Sequence, residues 1–490
     1  MKDMDACQLF KVRLLWEKID KILHLRDSKV KGLDYIPIIN TLCLGKDNKL
    51  HLNFNCKYGK ELYIDLFRVL PDMELHNNGE IFVIPHGYAV YEDDVEVLSN
   101  KEQEFNIKIN RIDYGNMDEK SSCYWRYVYP IKYSRWFQQI ETLNYMDDDG
   151  THVDLAYQKA VLGNSTMHVF LTERHDDCYL VIQSECKIDS EEMYKRAFAI
   201  TTTLGLITGN IFGGYHIQVA SDDKDFDSIR SMIFGTIEEN KYSIYRIVNN
   251  KWVDAYDMLG RFEYQQYAQE ILKEDCYDTN SYYDNKPLKA VVFEKLVNLC
   301  YNNNDIAISV SMLLEGSTLN MLYQPSFFLI ALETITSALG DCTKNIINLP
   351  WDKDEYNKKV KPILIKSLDK IDDLPYDAKR IYSSRLDNLN SPANQDKLAK
   401  SFEKYGYILT DEDKNAIKRR NYTFHGHLSD IKKELGEQRW DMLAVALRLH
   451  KLCCILLLKA AGYSGRIWNN EVIMGVEEAC KRKDPPYLNI

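Results

Sequence analysis

The sequence predicts an α+β protein, a β-rich N-terminal domain followed by an all-helical bundle. Three observations carry this expectation. Apolar residues alternate strictly through several stretches of the first two hundred positions; near residue 190 the period becomes helical; and beyond the acidic run 221–228 ("SDDKDFDS") nearly every segment has helical spacing. At 490 residues the chain has room for two or three domains, since single cores rarely grow past about 250–300 residues.

In chain order, "KLHLNFNCKY" (49–58) places Leu50, Leu52, Phe54, Cys56 and Tyr58 on one face of a strand, and "EFNIKINRI" repeats the pattern through Phe105, Ile107 and Ile109. Aromatic and β-branched residues between Tyr124 and Phe137 suit a half-buried pleated surface. "TMHVFLTERHDDCYLVIQSE" reads as a hairpin with "TERHDD" as its polar turn. "DSEEMYKRAFAITTTLGLITGN" reads as a helix: Asp189 or Ser190 caps it, Glu191 and Glu192 suit its first turn, and Met193, Ala197, Ile200 and Leu204 form its apolar stripe. The glycines of "GLITGNIFGG" follow this helix instead of opening one, and no lysine with Ser or Thr accompanies them, so a helix end explains them better than a phosphate loop. "YHIQVAS" adds a short strand, and the acidic run after it reads as the domain boundary.

The helical part comprises "PLKAVVFEKLVNLCYNNND", "QPSFFLIALETITSALGD" (opened by Pro325, stopped by Gly340), "DEYNKKVKPILIKSLDKI", "YDAKRIYSSRLDNLN", "NQDKLAKSFEKYG", "LTDEDKNAIKRRNYTFHG" and the apolar segment 442–462. Short connections imply an antiparallel bundle. The expected division is a β-rich sensor or regulatory domain over 1–220, a helical connector over 221–304 and the bundle over 305–490.

Composition narrows the function. With 45% hydrophobic and 28% charged residues the chain is ordinary globular protein. A net charge of −11 argues against broad basic faces that coat nucleic acid, and leaves room for a local basic cleft. Twelve cysteines are scattered without a C-x-x-C pair, no basic-then-apolar leader opens the chain, and no zinc-ligand spacing occurs. Free thiols in the cytoplasm are the expectation. No stretch reaches the ~18 apolar residues of a membrane span. The segment 442–462 is broken by Arg448, His450 and Lys451 and reads as a buried helix with one polar stripe.

Chemistry concentrates in "RRNYTFHGHLSD" (419–430), after a helix whose first turn is acidic (capped by Thr410 or Asp411) and whose last turn is basic. Dipole-friendly surface cations would account for Lys418 to Arg420 on their own. On an unbroken helix Arg420 and His425 stand roughly 140° apart. Either the chain bends near Gly426 or two copies of the segment face each other across a dimer. The remaining histidines, His86, His152, His168, His175 and His216, scatter through the β-rich part without ligand spacing.

"RNYTFH" resembles the R-x4–6-H signature of the HEPN superfamily in its ribonuclease form, R-N-x-x-x-H. The surrounding layout, a C-terminal bundle with "GYILTDEDKNAIKRRNYTFHGH" leading into the motif and a long apolar helix ending "LKAAGYSG", is similar to the HEPN domain of ApeA-type anti-phage and abortive-infection proteins. The resemblance spans roughly residues 305–475; in the β-rich part it is limited to position and the "AITTTLGLITG" helix. It puts Arg420, Asn421 and His425 on the motif. The registers Arg419 to His425 and Arg420 to His427 are formally available, and the asparagine after Arg420 favours the one chosen.

What the resemblance implies is a metal-independent endoribonuclease that works as a homodimer with no cofactor. In bacterial anti-phage defence it would cut host or phage RNA, tRNA among the candidates, under a phage-derived trigger or an antitoxin. RNA carries its own nucleophile, the 2′-hydroxyl. His425 can move a proton near neutral pH, Arg420 can grip the phosphate in bidentate fashion, and Asn421 can orient either group. Products would carry a 2′,3′-cyclic phosphate and a 5′-hydroxyl. Glu333, on the "FFLIALETITSALG" helix, is a weaker candidate partner for Arg420. The rival readings are a non-catalytic HEPN module that binds nucleotide, RNA or protein, and the toxin of a toxin–antitoxin pair.

Overall fold

In the computed structural model of the chain, described residues are 16, 29–31, 37–44, 50–57, 62–64, 72–77, 80–86, 88–91, 95–97, 102–115, 121–131, 142–146, 152–174, 177–212, 216–235, 241–243, 245, 288–340, 351–386, 389–390, 394–419 and 435–490. They form an α+β protein, β-rich first and helical after. The chain divides into two compact units, Met1–Asn302 and Asn303–Ile490.

In the first unit, the alternation at 49–58 becomes the strand Leu50–Lys57. It lies between Pro37–Leu44 and Glu102–Ile109, with Ala89–Tyr91 beyond, in a four-stranded antiparallel sheet. Leu50, Leu52, Ile107 and Ile109 are fully buried, as the period of two requires. A larger antiparallel sheet orders eleven strands, with Tyr124–Ile131 held between His216–Ser221 and Asp177–Ser184 near its middle. The hairpin Ser165–Arg174 and Asp177–Ser184 closes at Arg174 opposite Asp177, within the stretch read as its turn.

Helix α1 (Ser190–Thr208) is capped by Asp189, which accepts from the Glu192 amide at 2.7 Å, and ends at Gly209 in the left-handed region at φ 81°. Met193, Ala197, Ile200 and Leu204 are buried, and so are Thr201, Thr202, Thr203 and Thr208. Thr201 and Thr208 donate their hydroxyls to carbonyls four residues back, which lets a polar-looking helix sit in a core. Helix α2 (Ala290–Asn302) packs on α1 and on the strand His152–Leu162. Asn298 donates to the Val161 carbonyl at 2.9 Å, and the Tyr301 hydroxyl donates to Glu192.

Two expectations are corrected here. The acidic run is a turn, not a boundary. Ser221 ends one strand, Ile229–Gly235 begins the next, and the two pair within the large sheet. Asp223 makes the turn by accepting from the amides of Asp227 (3.0 Å) and Ser228 (2.6 Å), while Phe226, at φ 62°, tucks beneath the buried Arg126 guanidinium at 4.0 Å. The described residues of the span 221–304 do not form a separate connector. The strand 229–235 and helix α2 belong to the first unit, and the division falls at 302/303.

Asn303 then caps α3 (Asn304–Gly316), accepting from the amides of Asp305 and Ile306. Helix α4 (Gln324–Leu339), opened by Pro325, packs between α3 and the long helix α9 (Leu435–Ala460). From Leu452 to Leu458 every residue of α9 is buried, and each leucine or isoleucine contributes about 1.5–3 kcal/mol. Besides the helical turns Lys353–Glu355 and Tyr356–Val360, the described residues of this unit also form α5 (Lys361–Asp369), α6 (Tyr376–Leu386), α7 (Asn394–Lys404), α8 (Asp411–Lys418), α10 (Asn470–Ile473) and α11 (Glu477–Lys481). The bundle core is carried mainly by α3, α4 and α9, because α5 buries no residue and α6 only Leu386. Among the described residues no helix is long and apolar enough to cross a membrane.

Two buried histidines give the fold a pH dependence. Burial pushes His168 down to about 4, beside the Tyr157 hydroxyl at 2.9 Å, and burial pushes His450 down to about 4, against the edge of Phe328. Both take up a proton more readily in the unfolded chain, near 6.5. Their stability contribution is complete above pH 6.5 and is lost as pH falls toward 4, by about 3 kcal/mol each. Urea unfolding of the second unit, followed by hydrogen exchange in α9, should show a shallower pH slope between 6.5 and 4 in His450→Gln than in the parent. Equal slopes would assign the acid sensitivity to other groups.

Candidate functional site

The candidate motif residues Arg420, Asn421 and His425 lie outside the described residues, as does His427. The angle between Arg420 and His425 therefore lies outside them too. What the structure describes is the frame on either side: α8 leads to Arg419, and α9 begins at Leu435. Glu333, the weaker candidate, is half-buried on α4.

Helix α8 begins with a capping box. Thr410, of the two cap candidates, accepts from the Asp413 amide at 3.2 Å, and Asp413 accepts from the Thr410 amide at 3.0 Å. The same geometry turns Asp413 inward, where it is 1% exposed and receives the Tyr407 hydroxyl at 3.4 Å. Burial, then the Asp413 charge, pushes the Tyr407 phenol well above its ordinary range, so it stays a donor. The other Asp413 oxygen stands 3.7 Å from Arg448 Nη1 and 3.9 Å from Lys451 Nζ.

Arg448 and Lys451 are the polar stripe of α9, three residues apart and so on one helix face. Both are buried and both meet Glu471 on α10. Arg448 donates through Nε at 2.8 Å and Nη2 at 2.9 Å in a two-pronged fork, and Lys451 donates at 3.1 Å. Two cations and two carboxylates thus neutralise each other in the core. They come from three pieces of chain: the helix entering the motif, the helix leaving it, and the segment beyond. The third member of the stripe, His450, lies instead against Phe328 and Cys454.

Beside this cluster opens a cleft of about 800 Å³, a size suited to a nucleotide or a small-molecule ligand. Arg419 and Glu412 of α8, Trp440 and Asp441 of α9, and Glu477 and Arg482 of the C-terminal segment lie on its walls. Trp440 keeps 58% of its surface exposed, a free aromatic face at the rim. Arg482 is gripped by Asp484 at 2.8 Å, which holds its guanidinium above the ordinary value, and Lys481 pairs with Glu477. The walls carry both signs of charge, so the cleft suits a ligand that is itself mixed in character. Among the described residues no group of three or more His, Cys, Asp or Glu is arranged to hold a metal ion, and Cys123, Cys178, Cys186, Cys300, Cys453, Cys454 and Cys480 are free thiols.

Compared with known proteins, the chain matches no family model, no curated protein and no solved structure. The HEPN resemblance therefore rests on the motif and its sequence setting.

Sequence reasoning found the stripe on α9 and missed its partners. Asp413 reads as one of three acids suited to a helix start, and Glu471 sits in a four-residue helix too short to show periodicity. The available signal was two cations in the most apolar helix of the chain, which require buried acids somewhere.

Glu471→Gln leaves Arg448 and Lys451 buried with only Asp413 nearby. Breaking such a cluster should destabilise the second unit by about 3–5 kcal/mol. Chemical denaturation of the full chain, read by hydrogen exchange in α8 and α9, measures it. A loss below about 1 kcal/mol, the range of exposed pairs, would mean the cluster does not lock these helices.

Proposed function

We propose that the protein is a metal-independent endoribonuclease whose reaction is carried by Arg420, Asn421 and His425. The single observation that carries this reading is the sequence R-N-x-x-x-H in the short stretch between α8 and α9. Its support is chemical: one fork-shaped cation for a phosphate, one group that titrates near neutral pH, and one amide to orient them. Further support comes from the flanking helices, which a buried ion cluster ties together beside an open cleft. Catalysis by preorganised charge requires such rigid flanks, because small displacements of a gripping arginine reduce rate steeply.

In this reading Arg420 binds the scissile phosphate and offsets the charge that grows on its oxygens. His425 exchanges protons with the 2′-hydroxyl or the leaving 5′-oxygen. The active form is a homodimer whose two motifs share one site, and the biology is defence against phage by cutting host or phage RNA, tRNA among the candidates. The first unit restrains the nuclease until a phage-derived trigger or loss of an antitoxin releases it.

Arg420→Ala and His425→Ala should each reduce cleavage of total bacterial RNA by about 10²–10⁴, the usual effect of losing a proton-transfer group, and leave the circular dichroism spectrum unchanged. Cleavage should persist in EDTA and spare DNA of the same sequence. Full activity in either variant, or dependence on a divalent ion, would refute the assignment.

Mixing tests the shared site. Chains carrying Arg420→Ala, co-assembled with chains carrying His425→Ala, should recover part of the activity that neither has alone. A parent protein that cleaves fully while sedimenting as a monomer would exclude a site built from two subunits.

A further inference from the structure

Between Trp351 and Asn390 the described residues form a hairpin of two helices that pack chiefly on each other. Its base is latched. Asn390 accepts from the Trp351 amide at 2.9 Å and donates to the Trp351 carbonyl at 2.7 Å, while the buried Tyr356 donates its hydroxyl to the Leu386 carbonyl at 2.6 Å. A π-helical turn, Tyr356–Val360, joins this base to α5, an irregularity found often at functional sites. Beyond the latch no described residue from 357 to 385 is buried. An element that buries so little adds little hydrophobic stabilisation to the bundle, so its surface is where its use lies.

That surface is unlike the chain as a whole. Its basic excess lies in the outer part: residues 357–385 hold eight Lys or Arg against four Asp, whereas the base adds Asp352, Asp354, Glu355 and Asp387 against Lys353 alone, in a protein of net charge −11. Lys379 pairs with Asp369 and Lys359 with Glu355, whereas the exposed Lys358, Lys366, Lys370 and Arg385 make no ion pair with any described residue. Lys366 and Lys370, four apart, share a face, and the nearby Asp369 pairs with Lys379 instead. Tyr376 is 80% exposed and Tyr382 44% exposed among them, with Trp351 exposed at the base. Unpaired cations interleaved with open aromatic rings are what a single-stranded nucleic acid requires, the cations following phosphates and the rings stacking bases.

We infer that the outer part of the hairpin, residues 357–385, is a binding arm for single-stranded RNA, which on the endoribonuclease reading would hold the substrate. Ile363, Ile371 and Ile381 are also exposed on it, and a second copy of the chain would use those instead. The charge excess favours the polyanion, and the experiment separates the two.

Binding of a fluorescent single-stranded oligoribonucleotide is read by anisotropy in the full chain carrying His425→Ala, so that cleavage does not enter the measurement. Combining Lys358→Ala, Lys366→Ala and Lys370→Ala should flatten the slope of log affinity against log salt by about 2, at ~0.7 per phosphate contact. Tyr376→Ala with Tyr382→Ala should weaken binding about tenfold or more at fixed salt. All five positions carry exposed or half-exposed side chains, and an unchanged circular dichroism spectrum verifies the fold. Unchanged affinity and slope in both sets overturn the arm, as does a change confined to the sedimentation of the protein alone, which would make it a self-association surface. Arm-dependent RNA binding by a parent chain that cleaves nothing supports the arm and refutes the nuclease.

Discussion

The second unit depends on one electrostatic constraint: Arg448 and Lys451, carried into the core by the most apolar helix of the chain, must meet carboxylates there. A cation buried without a partner costs several kcal/mol, so the fold of everything near it is obliged to deliver acids. Asp413 comes from α8 and Glu471 from α10, both within salt-bridge reach. The helices that flank the candidate motif are therefore not merely neighbours in sequence. Charge neutrality fixes their mutual position, and hydrogen-bond geometry at the Arg448 fork makes the fit specific.

The same principle works differently in the first unit. There Arg126 is fully buried in the middle of the large sheet, and burial lowers its guanidinium to about 9 while Asp225 and Asp223 oppose the shift. Its compensation comes from a hydrogen bond of its Nε to Gln183 at 2.8 Å, the Phe226 ring and a nearby acidic turn instead of a carboxylate fork. This is why the acidic run deceives a reader of the sequence. The same aspartates serve equally well in a solvated linker, and only the amides that Asp223 accepts from, those of Asp227 and Ser228, reveal a hairpin turn.

Legibility followed the range of the interactions. Strict alternation at 49–58, the capped helix at 190–208 and the hairpin at 165–184 are local patterns, and each appears in the fold where the pattern lies. The ion cluster joins residues 413, 448, 451 and 471, and such a pairing leaves no mark in any window of sequence. The segments 354–371 and 376–390 have the spacing of ordinary bundle helices; spacing does not reveal that they pack mainly on each other and bury little. The candidate motif lies outside the described residues, so its reading rests on the side-chain types of six consecutive residues alone.

Glu471 has a consequence for synthesis. Chains emerge N-terminus first, and the last partner of the ion cluster lies in the segment that follows α9. Until that segment leaves the ribosome, Arg448 and Lys451 lack their principal acid, and α8 and α9 have no complete lock to hold them in register. The cluster that joins α8 to α9 is therefore complete only once residue 471 has been made, well after both helices it joins.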